Sequence, residues 1–206
     1  LAFLKASTPD GEIPSDHAIV ATMYKVAEKF DIQYIISGMN FRNEGLLPPT
    51  WARGYLDWKY IKSVNNIFGG EKLKNYPHLT LFKFFFLNTL KRKKNISLIN
   101  YIDFNKQEAI NLIEKELDWK NYGGKHHEST YTKFYQAYIL PKKFGIDKRK
   151  AHNSCLIMSS DSYTREQALE DLKKPIADEE VLERDKVYVM KKLGIKEEEF
   201  NEIMNS

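Results

Sequence analysis

Apolar residues recur at helical intervals in two segments near the start of the chain. The segment SDHAIVATMYKVAEKF carries a Ser15/Asp16 capping signal and predicts an amphipathic helix. Its inward face is expected to hold Ile19, Met23, Val26, Ala27 and Phe30. The segment Asp57–Gly70 predicts a second helix, which glycines stop. Its apolar side is expected to hold Tyr60, Ile61, Val64 and Phe68.

Between these helices, the isoleucine-rich run DIQYIISG predicts a short buried strand, apolar on both faces. Such a strand is typical of a parallel sheet that helices cover. Because open α/β sheets bind ligands beyond the carboxyl ends of their strands, the loop Ser37–Gly45 falls where a site is expected. Gly38 permits close backbone approach, Asn40 offers a donor and an acceptor, and Glu44 suits a metal or a ribose hydroxyl. A plain strand-to-helix turn would give the same pattern.

The middle of the chain is less regular, and its end is helical. Residues 72–105 predict a helix or strand, an exposed basic turn at Lys91–Lys94, and another strand. A helix follows Asn105, which forms a capping pattern with Glu108. Its inward residues are expected to be Ala109, Ile110, Ile113 and Leu117. Three further helices are predicted: one capped by Thr164 and Gln167 and stopped by Pro175, one from Asp178 to Gly194, and a short last one.

The composition excludes several classes of protein. The 206 residues include one cysteine, Cys155, which excludes an internal disulfide and a cysteine-cluster zinc site. A cytoplasmic location is therefore expected, with Cys155 as a buried structural residue. The most apolar segment, Leu79–Leu87, is broken by Lys83 and is far shorter than the ~20 residues of a membrane span. The first residues do not show the pattern of a signal peptide.

The net charge of +4 is unevenly distributed. From Glu170 onward the chain has seven basic and eleven acidic residues, so the first 169 residues carry a net charge of +8. A basic body of this kind points to an anionic partner: a nucleotide, a sugar phosphate or nucleic acid.

The sequence YGGKHHES has the residues of a phosphate cradle. Gly123 and Gly124 free the backbone beside Lys125, a combination that suits a bound phosphate. His126 and His127 give only a weak metal signal, because adjacent residues on a helix point in different directions.

The sequence IDKRKAH adds a second group of cations. Lys148 suits the neutralisation of charge, and Arg149 suits bidentate contact with a phosphate. Cations in a site are expected to contribute to turnover rather than to stability. Three consecutive cations are also typical of a solvated face.

Four stretches resemble the N-acetyl sugar amidotransferases of bacterial surface-polysaccharide biosynthesis, a family of the PP-loop ATP pyrophosphatase superfamily. The stretches are LKASTPDGEIPSDHAI, YIISGMNFRNEGLLPPTW, DWKYIKSVNNIFG and the long segment from Tyr122 to Leu172. The resemblance covers nearly the whole chain, and the last segment is its most specific part. The fold of the superfamily is a Rossmann-like α/β domain.

The resemblance implies a reaction in two steps on an N-acetyl sugar that is usually nucleotide-linked. ATP adenylates the acetyl carbonyl oxygen and releases pyrophosphate, and ammonia then displaces AMP to leave an acetamidino group. The implied cofactors are ATP and Mg2+. The implied partner is a glutaminase subunit that supplies the ammonia.

The resemblance also assigns residues. Gly38, Asn40 and Glu44 match the nucleotide-side loop that follows a strand in the family. The residues that match its C-terminal motif would face phosphates or the sugar nucleotide as catalytic groups; they are Lys125, His126, Glu128, Lys148 and Arg149. None of these residues is assigned to a metal.

The expected fold class is α/β: the remnant of a Rossmann-like parallel-sheet PP-loop domain, followed by a mostly helical C-terminal region. Residues 1–70 are assigned to the PP-loop domain, 71–105 to a basic and aromatic connecting segment, and 106–206 to the helical region. The S-G-G-x-D-S loop of the superfamily and the cysteine motif of the family are absent. Because the first residue is Leu1 rather than methionine, we expect the C-terminal part of a longer enzyme, incomplete by itself.

Two other functions stay open. The basic body and its tyrosines also fit a nucleic-acid-binding or tRNA-modifying module, since related PP-loop enzymes modify tRNA. Nucleic acid is nevertheless not the expected partner. The second alternative is a non-catalytic chain that serves only as an assembly surface for a glutaminase.

Overall fold

The computed structural model describes residues 1–102, 105–122, 124–125, 127–159 and 163–206. The chain divides into two compact units: unit 1 contains residues 1–38, 47–97 and 206, and unit 2 contains residues 39–46 and 98–205. In chain order the elements are α1 (Ala2–Lys5), α2 (Ile13–Lys29), β1 (Tyr34–Ser37), α3 (Phe41–Glu44), α4 (Trp58–Phe68), α5 (Leu81–Thr89), β2 (Lys94–Ser97), a 3-10 turn (Leu98–Tyr101), α6 (Lys106–Leu117), α7 (Thr130–Phe134), a π-helical segment (Tyr135–Ile139), α8 (Leu140–Phe144), α9 (Arg149–Ser159), α10 (Arg165–Lys173), α11 (Glu179–Leu193) and α12 (Glu197–Asn205).

Unit 1 contains a small parallel sheet. Strand β1 pairs with β2 in a register that runs from Tyr34 opposite Lys94 to Ser37 opposite Ser97. The described residues are mostly helical with this one two-stranded sheet, which agrees with the predicted α/β class. Two strands do not define a Rossmann-like topology, so that part of the fold stays a prediction.

Two apolar clusters form the core of unit 1. The first joins α1, α2 and α4 through the buried residues Phe3, Ile13, Ile61 and Val64. The second joins α2 and α5 through the buried residues Ala21, Tyr24, Leu79 and Leu87. Helix α4 begins as predicted, because the Asp57 side chain accepts a hydrogen bond from the Tyr60 amide. Its predicted apolar side is correct at Ile61 and Val64, but Phe68 is exposed.

The face that helix α2 turns inward agrees with the predicted one at Ala27 but not at three of the other predicted positions. Ile19, Val26 and Phe30 are exposed, and the buried positions are Ile13, His17, Ala21, Tyr24 and Ala27. The reason is that two polar side chains on this face find partners inside unit 1. The Tyr24 hydroxyl donates to Asn88 Oδ1 at 3.0 Å. A pattern of apolar residues alone does not reveal such a face.

His17 is the polar centre of that face. Its Nδ1–H donates to the Tyr55 carbonyl at 2.6 Å, and its Nε2 accepts from the Leu79 amide at 3.1 Å. The ring packs against both Trp58 and Tyr76, with centroid distances of 5.8 and 6.1 Å, and those two rings stack on each other at 5.6 Å. Burial is the main cause that lowers the pKa of His17, so the neutral tautomer is built into the fold.

Around the sheet, one prediction was wrong and another was correct at three of four residues. β1 is a strand, but its Tyr34 and Ile36 side chains are exposed rather than buried. The basic turn at Lys91–Lys94 is not uniformly exposed, because Lys93 is only 1% exposed. Its ammonium donates to the Ile32 carbonyl at 2.9 Å and to Asp31 Oδ1 at 3.3 Å, which compensates the burial of the charge.

In unit 2, a continuous helical run from Thr130 to Phe144 supplies the most buried side chains. Ser129 caps it by accepting from the Thr132 amide, and Gly145 ends it at φ 65°, a backbone conformation that favours glycine. The fully buried side chains of this run are Phe134, Tyr135, Ile139 and Leu140. Lys133 pairs with buried Asp185 of α11 at 2.7 Å, so the polar side of the run is anchored as well.

The remaining helices follow their predicted caps. Thr164 and Gln167 form a complete capping box at α10, Asp178 caps α11, and Gly194 ends α11 at φ 67°. Helix α6 is present, but Leu117 is exposed and the rest of its predicted inward face is only half-buried. The three predicted segments stay predictions, because they name homologous regions rather than compact units. Among the described residues, no helix combines the length and apolar composition that a membrane span requires.

Candidate functional site

The second part of the post-strand loop packs against α9 inside unit 2. The Leu46 amide donates to Cys155 Sγ at 3.1 Å, and the Ser159 hydroxyl donates to the Arg42 carbonyl at 3.2 Å. Cys155 is buried, as predicted, and it also serves as a hydrogen-bond acceptor for the loop. These contacts bring the loop SGMNFRNEG to the helix that begins in the motif IDKRKAH.

An ion pair joins the same loop to the motif YGGKHHES. Lys125 Nζ lies 2.9 Å from Glu44 Oε1, and the two side chains are 22% and 30% exposed. A pair that is partly withdrawn from water interacts more strongly than one on an open surface. The pair is formed by two residues that the sequence singled out separately. The loop and the YGGKHHES motif, which are distant in sequence, therefore meet in unit 2, and the loop also contacts the part of α9 that lies beyond the IDKRKAH motif.

His127 lies against the backbone of Gly124. A Cβ at position 124 would stand 2.4 Å from Cε1 of the His127 ring, so any larger residue there would displace the ring. The His127 amide also donates to the Gly124 carbonyl at 3.3 Å. Gly124 thus has a packing reason, and its role in freeing the backbone for an anion stays a prediction.

Arg149 connects the start of α9 with the end of α10. Its Nε and Nη2 donate to the Asp147 carboxylate at distances between 2.8 and 3.2 Å. Its Nη1 donates to the carbonyls of Asp171 and Lys174 at 3.1 and 2.8 Å, and Nη2 reaches the Leu172 carbonyl at 3.4 Å. These three carbonyls lie at the C-terminal end of α10, where the last carbonyls of a helix have no N–H partner within the helix. All five guanidinium N–H groups therefore have acceptors within unit 2.

The end of α10 carries a further polar network that sequence reasoning missed. The Tyr163 hydroxyl donates to Asp171 Oδ2 at 2.7 Å, and Lys174 Nζ donates to Asp171 Oδ1 at 2.8 Å. The hydrogen bond from Lys174, followed by that from Tyr163, lowers the pKa of Asp171. Burial, followed by the hydrogen bond to Asp171, raises the pKa of Tyr163 to about 12. For the contacts of Arg149, the one local signal in the sequence was Asp147, two residues before it.

The other predicted residues are placed as follows. In unit 2, Asn40 is buried immediately before α3, Lys148 is half-buried immediately before α9, and Glu128 is exposed. Gly38 belongs to unit 1 and is exposed, with no atom within 4 Å of the position a Cβ would take. His126 lies outside the described residues. The roles assigned to all of these residues stay predictions.

The comparisons with known proteins concern the C-terminal part of the chain. Residues 128–206, less than half of the chain, match the family model described as LPS biosynthesis protein WbpG-like, C-terminal domain. This match supports a WbpG-like protein with a role in lipopolysaccharide biosynthesis. No curated protein and no solved structure matches the chain.

Proposed function

We propose that this chain forms part of an ATP-dependent amidotransferase of lipopolysaccharide biosynthesis. Its substrate would be a nucleotide-linked sugar whose N-acetyl group becomes an acetamidino group. The family match supports the pathway. The observation that carries the proposal is that the loop of Glu44 and the motif of Lys125 meet in unit 2 through the ion pair of these two residues. A site for a phosphorylated substrate needs cations and polar groups held together in this way.

The proposed chemistry balances in two steps. The carbonyl oxygen of the acetamido group attacks the α-phosphorus of ATP, and the bond to the leaving pyrophosphate breaks. Ammonia then adds to the activated carbon, the carbon–oxygen bond breaks, AMP leaves and the nitrogen loses a proton. Negative charge develops on phosphate oxygens in both steps, so fixed cations stabilise both transition states.

Each residue has a proposed role in this scheme. Lys125 and Lys148 would neutralise phosphate charge, and His126 and Glu128 would handle protons near the sugar. Gly38, Asn40 and Glu44 would line the nucleotide side. Arg149, whose donors are all engaged, would act by fixing the start of α9 beside Lys148 in the chain.

Several components of the reaction must come from elsewhere. The sequence lacks the S-G-G-x-D-S loop that would hold the triphosphate of ATP, and ammonia would come from a glutaminase partner. Among the described residues, no group of three or more His, Cys, Asp or Glu side chains could hold a metal ion. No step is therefore assigned to Mg2+. A cytoplasmic location remains part of the proposal.

The tyrosines of the helical run from Thr130 to Phe144 give no support to a nucleic-acid module. Tyr135 is fully buried and stacks on Tyr131 at 5.8 Å, and Tyr138 stacks on Phe134 at 4.9 Å. These rings are occupied within unit 2, whereas a single-stranded nucleic acid needs exposed rings on which bases can stack.

The proposal is tested with the natural gene product that contains this sequence. It is incubated with ATP, magnesium, ammonium chloride and a panel of UDP-linked N-acetylhexosamines. We expect AMP to form only with a matching sugar nucleotide, together with a sugar product in which NH replaces the acetyl oxygen. Lys125→Ala and Lys148→Ala should each lower this turnover at least tenfold, whereas Lys150→Ala, at an exposed position of α9, should leave it unchanged. Formation of ADP, or of AMP without any dependence on the sugar, would overturn the proposal.

A further inference from the structure

Unit 2 has a surface cavity of about 450 Å³ at the end of α6, lined by Ile113, Leu117, Asp118, Trp119, Lys120 and Tyr122. Its volume falls within the range of small-ligand sites, ~300–1,000 Å³. Neither Lys125 nor Glu44 lines this cavity, but its last lining residue, Tyr122, is only three positions before Lys125 in the chain.

Two aromatic rings give the cavity its shape. Trp119 and Tyr122 meet edge to face, with ring centroids 5.6 Å apart and planes at 90°. They therefore form two walls of a right-angled corner. A flat ring of a ligand can stack on one wall while its edge touches the other. Ile113 and Leu117 of α6 provide the apolar floor.

The backbone holds this corner in place where α6 ends. Asp118 adopts the left-handed conformation at φ 51°, and its amide donates to the Ile113 carbonyl, which terminates the helix. The chain then turns directly into Trp119 and Lys120. The rings are thus attached to a defined helix end, not to an extended loop.

Two charged side chains accompany the rings and have no partner of their own in the described structure. Within the described residues, neither the Asp118 carboxylate nor the Lys120 ammonium lies at hydrogen-bond or ion-pair distance from another side chain. A free ammonium beside an aromatic corner suits a phosphate, and a free carboxylate suits hydroxyl or ring N–H donors.

We infer that this corner binds the nucleoside diphosphate part of the sugar nucleotide, with the base stacked in the Trp119–Tyr122 corner and Lys120 on the diphosphate. The inference rests on the proposed function in one respect. In that proposal, ATP is bound by the S-G-G-x-D-S loop, which this sequence lacks. The nucleotide held by this chain is then the one attached to the sugar. The cations of the YGGKHHES motif would follow directly along the chain for the sugar end.

The test is calorimetric titration of the natural gene product that contains this sequence, with UDP-N-acetylglucosamine, UDP, N-acetylglucosamine and ATP as separate ligands. UDP-N-acetylglucosamine and UDP should bind, and the free sugar should bind at least tenfold more weakly, because base stacking supplies much of the affinity. Trp119→Ala should raise the Kd for UDP about tenfold, and Trp119→Phe should restore most of it. Lys120→Ala should weaken binding about threefold and flatten its salt dependence.

A second cavity provides the matched control. It measures about 420 Å³, also lies in unit 2, and is lined by Glu166, Leu169, Glu170, Leu172 and Lys173, without an aromatic ring. Leu169→Ala in this cavity should leave the Kd for UDP unchanged. Circular dichroism melting of Trp119→Ala and Tyr122→Ala checks that each variant is folded, and Tyr122→Ala should weaken UDP binding by itself.

The outcomes separate this inference from the proposed function. UDP-N-acetylglucosamine binding that Trp119→Ala and Tyr122→Ala leave intact overturns the corner but not the amidotransferase, which is judged by AMP formation. Ring-dependent binding of ATP in place of UDP overturns the assignment to the sugar nucleotide. Failure of every nucleotide to bind also overturns the proposal that the corner is a nucleotide site.

Discussion

Two aromatic-rich helical segments of this chain are buried to very different degrees. In unit 1, α5 carries the run LFKFFFL, yet Phe82 is 80% and Phe85 66% exposed. In unit 2, the run through α7 and the π-helical segment buries Phe134 and Tyr135 completely. Apolar composition alone therefore does not decide burial.

The difference lies in the number of packing partners. Among the described residues, cover for α5 comes from one side, where Leu87 and Phe84 contact Tyr24 and its neighbours on α2. The run in unit 2 meets α12 through Phe200 and α11 through the Lys133–Asp185 pair. A helix becomes buried when neighbours cover several of its faces.

The largest expected contrast is between two phenylalanines. Phe134→Ala should lower the free energy of unfolding by about 3–5 kcal/mol, because it leaves a cavity among fully buried side chains. Phe85→Ala should change it by less than about 0.5 kcal/mol, since that ring is mostly exposed. Urea unfolding of both variants measures the contrast. Equal losses would show that α5 is covered in solution.

The two lysines of these segments provide the next contrast. Lys133→Ala leaves buried Asp185 without its counter-charge and should cost about 3 kcal/mol of unfolding free energy. Lys83→Ala removes an exposed pair with Glu28 at 2.8 Å and should cost at most about 1 kcal/mol. In the same urea titrations, Lys133→Met combined with Asp185→Leu should recover much of the loss. A loss that persists in this double variant would argue against the buried pair as its cause.

Arg149 tests whether a cation of the predicted motif also stabilises unit 2. Arg149→Ala should cost about 2 kcal/mol, because it removes the guanidinium donors of three helix-end carbonyls and leaves Asp147 with only the backbone amide of residue 149 as its donor from that position. Lys150→Ala, at an exposed position of the same helix, is the control. Thermal and urea unfolding measure both. A loss of turnover in Arg149→Ala with unchanged stability would contradict the structural role.

The smallest expected effect concerns the pH dependence of unit 1. His17 has a pKa lowered mainly by burial, so the unfolded chain binds a proton at a higher pH than the folded chain does. Stability from His17 should be complete above the unfolded pKa of about 6.5 and should be lost as the pH falls through the folded value. His78→Ala should retain this dependence, and His17→Gln should flatten it. Unfolding curves between pH 7 and pH 5 that coincide for the wild type and His17→Gln would rule the effect out.

Local signals predicted the elements of this fold better than their burial. Helix ends at Asp57, Thr164, Asp178 and Gly194 follow from capping chemistry within a few residues, and the structure confirms them. The burial of His17 on α2 could not be predicted, because it depends on hydrogen bonds to Tyr55 and Leu79, which are far away in sequence. Lys93 is hidden for the same reason, through its bond to the Ile32 carbonyl.

The candidate site shows the same division. The motifs of Glu44 and Lys125 were each singled out by composition, but nothing in the sequence paired them across eighty intervening positions. Charge alone placed Arg149 with Lys148 at a phosphate, whereas its contacts are with Asp147 and the end of α10. The partner of a charged side chain depends on tertiary packing, which local patterns do not contain.

The central claim is that the loop of Glu44 and the motif of Lys125 lie together in unit 2. Carbodiimide cross-linking joins a lysine to a carboxylate directly, by an amide bond with loss of water, and mass spectrometry locates the joined peptides. We predict a Glu44–Lys125 cross-link that Lys125→Ala abolishes, alongside a Lys186–Glu197 cross-link from the control pair at 3.0 Å. Appearance of the control cross-link without the Glu44–Lys125 one would contradict the account.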